Sequence, residues 1–169
     1  MAATEEIKGI ALQVKPDMVT LVPEKREEIT TEGGLDVAGS LDRLTPFVKE
    51  LEGAGIVVSL FVDPEPLQIE ASSETGATFI EIHTGAYANA KDKKEAEQRL
   101  KEIKDSVKLA KTLGLRVNAG HGLTYNNVRE TAKIEGIEEL NIGHNIIARA
   151  VIVGIEQAVR EMKEVMAAA

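Results

Sequence analysis

The sequence predicts an α/β fold in which parallel strands alternate with covering helices. Three observations carry that prediction. Short apolar runs alternate with longer amphipathic, charge-rich stretches along the chain, which is the pattern of consecutive βα units. Gly53, Gly76, Gly114 and Gly136 each stand where a helical stretch ends and an apolar run resumes. A length of 169 residues, with 43% hydrophobic and 28% charged residues and no proline-rich or serine-rich linker, suits a single domain over residues 1–169.

The elements follow in order. A first helix is expected from Glu5 to Val14, then a strand from Met18 to Val22, where β-branched and apolar residues cluster. Ser40 to Gly53 reads as a helix and Ile56 to Val62 as a strand. Pro66 opens a helix that runs to Thr75, since proline suits a first helical turn, and Thr78 to Thr84 follows as a strand. The longest helix is expected from Lys91 to Leu113, with Ala96, Leu100, Ile103, Val107 and Ala110 spaced for one buried stripe and its many charges on a solvated face. Leu115 to His121 is a strand, Tyr125 to Ile134 a helix, Glu139 to His144 a strand and Asn145 to Met166 a closing helix.

A complete (β/α)₈ barrel typically needs about 250 residues, so five strands in a chain of this length predict either an open sheet or a partial barrel of about five βα units. The strand faces favour a barrel wall. Ile80 and Ile82, Val117 and Ala119, and Leu140 and Ile142 form one apolar face, suited to lie under the helices. The alternate positions hold Glu81 and His83, Asn118 and Gly120, and Asn141 and Gly143. Polar groups on one face of three successive strands are costly to bury without partners, so they are expected to converge on a ligand near the strand ends.

Composition excludes several classes. The formal net charge of −8 argues against a phosphate-backbone binder, so nucleic acid is not an expected partner. No apolar run approaches a membrane span of about 20 residues. The absence of cysteine removes disulfides, thiolate metal sites and thiol nucleophiles, and suits a cytoplasmic protein. The opening residues have neither the basic nor the apolar segment of a signal peptide.

The chemistry concentrates at the carboxyl ends of the strands, where parallel α/β folds build their sites. His83, His121 and His144 all lie there, each beside a glycine or a carboxylate. Glu81 shares the side of its strand with His83, where partial burial raises a carboxyl pKa and fits it for proton transfer or for stabilising a cationic intermediate. Gly120, Gly122 and Gly143 precede predicted helices, and such turns expose backbone N–H groups able to hold phosphate. Neither GxxxxGK[ST] nor GxGxxG occurs, so a small phosphorylated substrate is expected in place of a nucleotide. The long loop that begins at Pro23 follows the first strand and offers Lys25, Arg26, Thr30 and Thr31 to phosphate or substrate hydroxyls, the threonines first, with Lys25 reading equally well as a solvated charge.

Four segments carry a family resemblance: Leu21-Val-Pro-Glu-Lys-Arg-Glu-Glu-Ile-Thr-Thr-Glu-Gly-Gly-Leu-Asp-Val, Phe79-Ile-Glu-Ile-His-Thr-Gly-Ala-Tyr-Ala, Val117-Asn-Ala-Gly-His-Gly-Leu-Thr-Tyr-Asn-Asn-Val and Glu139-Leu-Asn-Ile-Gly-His. In this order they closely resemble the pyridoxine 5′-phosphate synthase family of vitamin B6 biosynthesis. The resemblance implies a TIM barrel that condenses 1-deoxy-D-xylulose 5-phosphate with 3-amino-2-oxopropyl phosphate, releasing phosphate and water, with no metal or organic cofactor. It implies that His121 is the proton donor, Glu81 the transition-state stabiliser and Thr30 a contact to the deoxyxylulose phosphate. Gly122, Gly143 and His144 correspond to the site for the amino-ketone phosphate, and a homo-oligomer is implied where the barrel is complete.

The sequence departs from the family at its front. The Asn-Ile-Asp-His, His-Leu-Arg and Asn-Leu-Glu-Met motifs, which carry two further proton-transfer residues, do not occur in it. The expectation is therefore an inactive and poorly behaved chain lacking the N-terminal strands, with two unpaired sheet edges and an uncovered inner face, since each general acid–base group contributes about 10² to 10⁴-fold. Asn145 replaces a small apolar residue after the Gly-His pair, which affects packing or a helix N-terminal contact. Two other readings stay open: a non-catalytic phosphate-binding half-barrel, and a metal-dependent hydrolase or lyase built on the three histidines and Glu81.

Overall fold

The computed structural model describes residues 1–23 and 33–168. Its elements are α1 (Glu5–Val14), β1 (Met18–Leu21), α2 (Leu41–Gly53), β2 (Val57–Val62), α3 (Pro66–Thr75), β3 (Phe79–His83), α4 (Gly85–Ala88), α5 (Lys93–Thr112), β4 (Arg116–Gly120), α6 (Val128–Ala132), β5 (Ile137–Asn141), α7 (His144–Val153) and α8 (Ile155–Ala167). All four strand pairs are parallel, and spatial order equals chain order, β1-β2-β3-β4-β5. Right-handed crossovers that never reverse direction place the helices on one side of the sheet, as in a barrel wall. A doubly wound sheet would show a switch in strand order. The architecture is thus the α/β, partial-barrel arrangement expected from the sequence.

The apolar face is the one under the helices. Leu21, Val58, Leu60, Val62, Ile80, Ile82, Val117 and Ala119 are buried and pack with Leu44, Val48 and Leu51 of α2, Ile69 of α3, and Ile103, Val107 and Ala110 of α5. Each of the leucine, valine and isoleucine side chains contributes about 1.5–3 kcal/mol on leaving water. The amino ends of the strands are tied by structural contacts. Glu52 Oε1 accepts from the amides of Val58 and Thr78 and from Thr78 Oγ1. Arg116 lies over the Phe79 ring and forks onto Glu138.

Five details differ from the sequence reading. Strand β5 ends at Asn141, so Ile142 and Gly143 belong to the turn into α7 and not to the sheet. The pairing of β4 with β5 shifts register between Val117 and Asn118, which sets the two strands' polar positions, Asn118 with Glu139 and Gly120 with Asn141, side by side. The closing helix breaks at Gly154 (φ 85°, ψ 154°), a conformation outside the helical region, and Thr84 leads into the short helix α4, which the pattern does not announce. The inner face is also not left bare: Ser59, Phe79, Glu81, His83 and Asn118 are buried, while Arg116 at the amino end of β4 and the β5 positions Glu139 and Asn141 are exposed. Beyond β5, helix α7 has no buried residue and exposes Ile147, Val151 and Ile152.

Candidate active site

The carboxyl ends of β2, β3 and β4 bring together Asp63, Glu81, His83 and His121. Register places Glu81 beside Asn118 and His83 beside Gly120, and on the other side Gly120 beside Asn141. Gly120 therefore sits in the row between His83 and Asn141, next along the inner face from the row of Glu81 and Asn118, and its lack of a side chain matters. A Cβ there would stand 2.6 Å from Glu81 Oε1 and 2.7 Å from the Asn141 carbonyl oxygen. With that space free, Glu81 reaches across β4 and its Oε2 accepts from Asn141 Nδ2 at 2.9 Å. Burial raises the Glu81 carboxyl above its ordinary range, against the Asn141 hydrogen bond and the nearby His121 and His83 rings, which pull it down.

His83 is fixed from the side of β2. Its Nδ1 lies 2.8 Å from Asp63 Oδ1, and Asp63 Oδ2 accepts from the Gly34 amide at 2.9 Å. Burial works to raise the Asp63 carboxyl, but the hydrogen bonds from His83 and Gly34 outweigh it and hold the group below its usual value. The His83 ring stands 5.0 Å from both the Phe61 and His121 rings, inclined at 55° and 60°. Its Nε2 packs so closely on Gly85 that a Cβ there would meet it at 2.5 Å. Nε2 of His83, Asn118 Oδ1 and Ser59 Oγ, all on the inner face, are buried without hydrogen-bond partners among the described residues.

The turn after β4 is unusual. His121 has φ 77° and Gly122 φ 79°, two consecutive left-handed residues, of which the first carries a side chain. Gly122 meets a second demand, because a Cβ there would come within 2.8 Å of Ala88 in α4. His121 is half-buried and Gly122 exposed. One strand farther along the same edge, Gly143 is the N-cap of α7 and the exposed His144 its first residue, so the first amides of that helix face the carboxyl end of the sheet. Asn145 Oδ1 accepts from the Tyr125 amide at 3.3 Å, which joins α7 to the loop after β4.

Glu81 stands in β3, with His121 and Gly122 in the turn after β4, at the strand ends the sequence indicates, whereas Gly143 and His144, expected in the last strand, cap and open α7. Thr30, with Lys25, Arg26 and Thr31, lies outside the described residues. The described end of that loop is pinned at the site, with the Leu35 amide on the Phe61 carbonyl and Gly34 on Asp63. Asp63 was not among the sequence candidates; its signal is a carboxylate directly after the apolar run of β2. Among the described residues, no group of three or more His, Asp or Glu side chains is arranged to hold a metal ion, and no helix is long and apolar enough to cross a membrane.

The family described as pyridoxal phosphate biosynthesis protein PdxJ matches residues 1–168. The chain belongs to the PdxJ family. Curated relatives agree. The pyridoxine 5′-phosphate synthase of Synechococcus sp. (strain JA-2-3B'a(2-13)) is 60% identical over 166 residues, covering 98% of this chain and 70% of the relative. That of Thermosynechococcus vestitus is 61% identical over 163 residues, covering 96% and 68%. Two solved structures share the fold of this PdxJ-family chain. A xylose isomerase domain protein from Planctomyces limnophilus superposes with a TM-score of 0.57 at 12% identity, covering 93% of this chain and 65% of that one. The YdjI aldolase from Escherichia coli K12 gives 0.58 at 16% identity, covering 96% and 60%.

Proposed function

We propose that this chain performs the pyridoxine 5′-phosphate synthase condensation at the carboxyl edge of its sheet, joining 1-deoxy-D-xylulose 5-phosphate to 3-amino-2-oxopropyl phosphate. The observation that carries the reading is the Glu81 carboxylate, buried, raised in pKa and reaching over Gly120 with His121 beside it. A carboxylate in that setting stabilises positive charge as the condensation proceeds, and His121 delivers a proton to a leaving oxygen. The first-turn amides of α7, with Gly143 and His144, and the Gly122 turn suit the amino-ketone phosphate. Thr30 is assigned to the deoxyxylulose phosphate. His83 Nε2, Asn118 Oδ1 and Ser59 Oγ leave polar capacity on the same concave face. The catalyst works without metal or organic cofactor, as a single domain, in the cytoplasm, and as a homo-oligomer where the barrel is complete.

Because the Asn-Ile-Asp-His, His-Leu-Arg and Asn-Leu-Glu-Met motifs do not occur in the sequence, binding is measured beside turnover. Calorimetry with 3-amino-2-oxopropyl phosphate is expected to give a saturable isotherm that H144A weakens, and product analysis with both substrates to give pyridoxine 5′-phosphate that E81Q and H121A abolish. A chain that binds the phosphate without turnover is the non-catalytic module. A chain that does neither refutes the assignment.

A further inference from the structure

We propose that Thr84 is the positioning residue for His121, its hydroxyl clamping the two carbonyls on either side of the His121 α-carbon and so holding the imidazole over Glu81 and His83. The proposal rests on the reading of His121 as the proton donor, but the clamp itself is a matter of backbone geometry and is tested without it.

Thr84 follows β3 directly and is fully buried. Its amide donates to the Gly120 carbonyl at 2.8 Å. Its Oγ1 lies 2.7 Å from the same carbonyl oxygen and 2.6 Å from that of His121, so one hydroxyl hydrogen serves two acceptors. Thr84 also occupies the N-cap of α4, where a threonine hydroxyl ordinarily accepts from an amide of the first turn. Here it makes no such bond. The side chain has turned away from its own helix, and its hydroxyl is committed to the neighbouring strand.

His121 is where such a commitment is needed. A residue with a Cβ persists at positive φ only where its surroundings over-determine the backbone. The other described non-glycine residue at positive φ, Lys15, terminates α1, an ordinary place for the left-handed conformation. No helix end accounts for His121. Among its described contacts, the backbone there is held by a bond from the His121 amide to the Asn141 carbonyl on one side and by the Thr84 hydroxyl on the other. With both peptides held, the ring is presented to His83 at 5.0 Å between centroids. Released, the segment relaxes toward negative φ and swings the imidazole away from the strand ends.

The test uses the full chain, isotope-labelled, with T84A and T84S. Wild-type His121 Cα and Cβ shifts are expected in the left-handed range. T84A should move them out of it and remove the nuclear Overhauser contact between the His83 and His121 rings, while T84S, which keeps the hydroxyl, retains both. Where turnover is measured, T84A should lower kcat by about tenfold to a hundredfold with KM changed by no more than about twofold, and T84S should restore it. A structural role alone would shift the unfolding midpoint and leave the His121 shifts in place, and that result overturns the clamp. Should T84A fail to fold, the wild-type chain decides alone. Deuterating the Thr84 hydroxyl should displace the carbonyl carbon signals of both Gly120 and His121, and no displacement at His121 overturns the proposal. A wild-type chain that shows the clamp but neither binds 3-amino-2-oxopropyl phosphate nor turns over counts against the function assigned above and not against the role of Thr84.

Discussion

Asp63 and His83, at the carboxyl ends of neighbouring strands, form a pair in which Oδ1 and Nδ1 are 2.8 Å apart. The contact fixes the ring whose far side lies against His121, so the order of the site begins at the end of β2, one strand before Glu81. Removing the carboxylate with D63A leaves a buried imidazole nitrogen unpaired. The expected loss of stability is about 1–2 kcal/mol at pH 7 by urea unfolding. Because the folded-state value of Asp63 is depressed, its contribution is fully present above the ordinary carboxyl range and fades as pH falls through the lowered folded value. The gap between D63A and wild type should therefore begin to close only below about pH 4.

Glu81 behaves in the opposite sense. Its folded-state value is raised by burial, so its ionised form destabilises the native chain. That destabilisation is absent below the unfolded value, about 4.3, grows as pH rises from there to the raised folded value, and is constant above it. E81Q keeps the shape and an acceptor for Asn141 Nδ2. It is expected to be more stable than wild type at pH 7 and equal to it near pH 4. Unfolding midpoints in urea at the two values check this, and a variant less stable than wild type at pH 7 contradicts it.

The row that places Glu81 was legible because a strand alternates with period two: Ile80 and Ile82 had to face the helices, so Glu81 and His83 had to face away. Strand-end histidines and the glycines beside them were visible for the same reason. What the sequence hid is non-local. Nothing near Asp63 names His83 as its partner, since the two are 20 residues apart and meet only when β2 and β3 pair. Ile142 looks like a strand residue because it is apolar and in phase, yet Gly143 must already cap α7, and the sheet stops at Asn141. Gly154 sits within an amphipathic run long enough to read as one helix, and an isolated glycine is tolerated there in most cases. Thr84 carries no local sign that its hydroxyl ignores α4.

Gly120 is the space through which Glu81 reaches Asn141. G120A introduces a Cβ against the Glu81 carboxylate and the Asn141 backbone, the second of which cannot turn aside. The expected cost is about 1–3 kcal/mol. The more telling readout is the Asn141 side-chain amide, whose nuclear resonance signals should shift to solvent-like positions as the Glu81 hydrogen bond is lost. G122A acts by a different route, through its φ of 79° and the contact with Ala88, and should leave the Asn141 signals unchanged.

His121 provides the sharpest comparison, because two substitutions remove the same imidazole and differ only in a methyl group. At an ordinary position, glycine is less stable than alanine by roughly 0.5–1 kcal/mol, since its unfolded chain has more freedom to lose. At φ 77° the sign reverses. Alanine retains the steric conflict between Cβ and the backbone, worth about 1–2 kcal/mol, and glycine does not. H121G is therefore expected to exceed H121A in stability by about 0.5–1 kcal/mol in urea unfolding at pH 7, where the charge of the lost ring cancels between the two. Both should lack turnover. If H121A equals or exceeds H121G, the left-handed conformation is not held in the native chain, and the strain that Thr84 is assigned to contain does not exist.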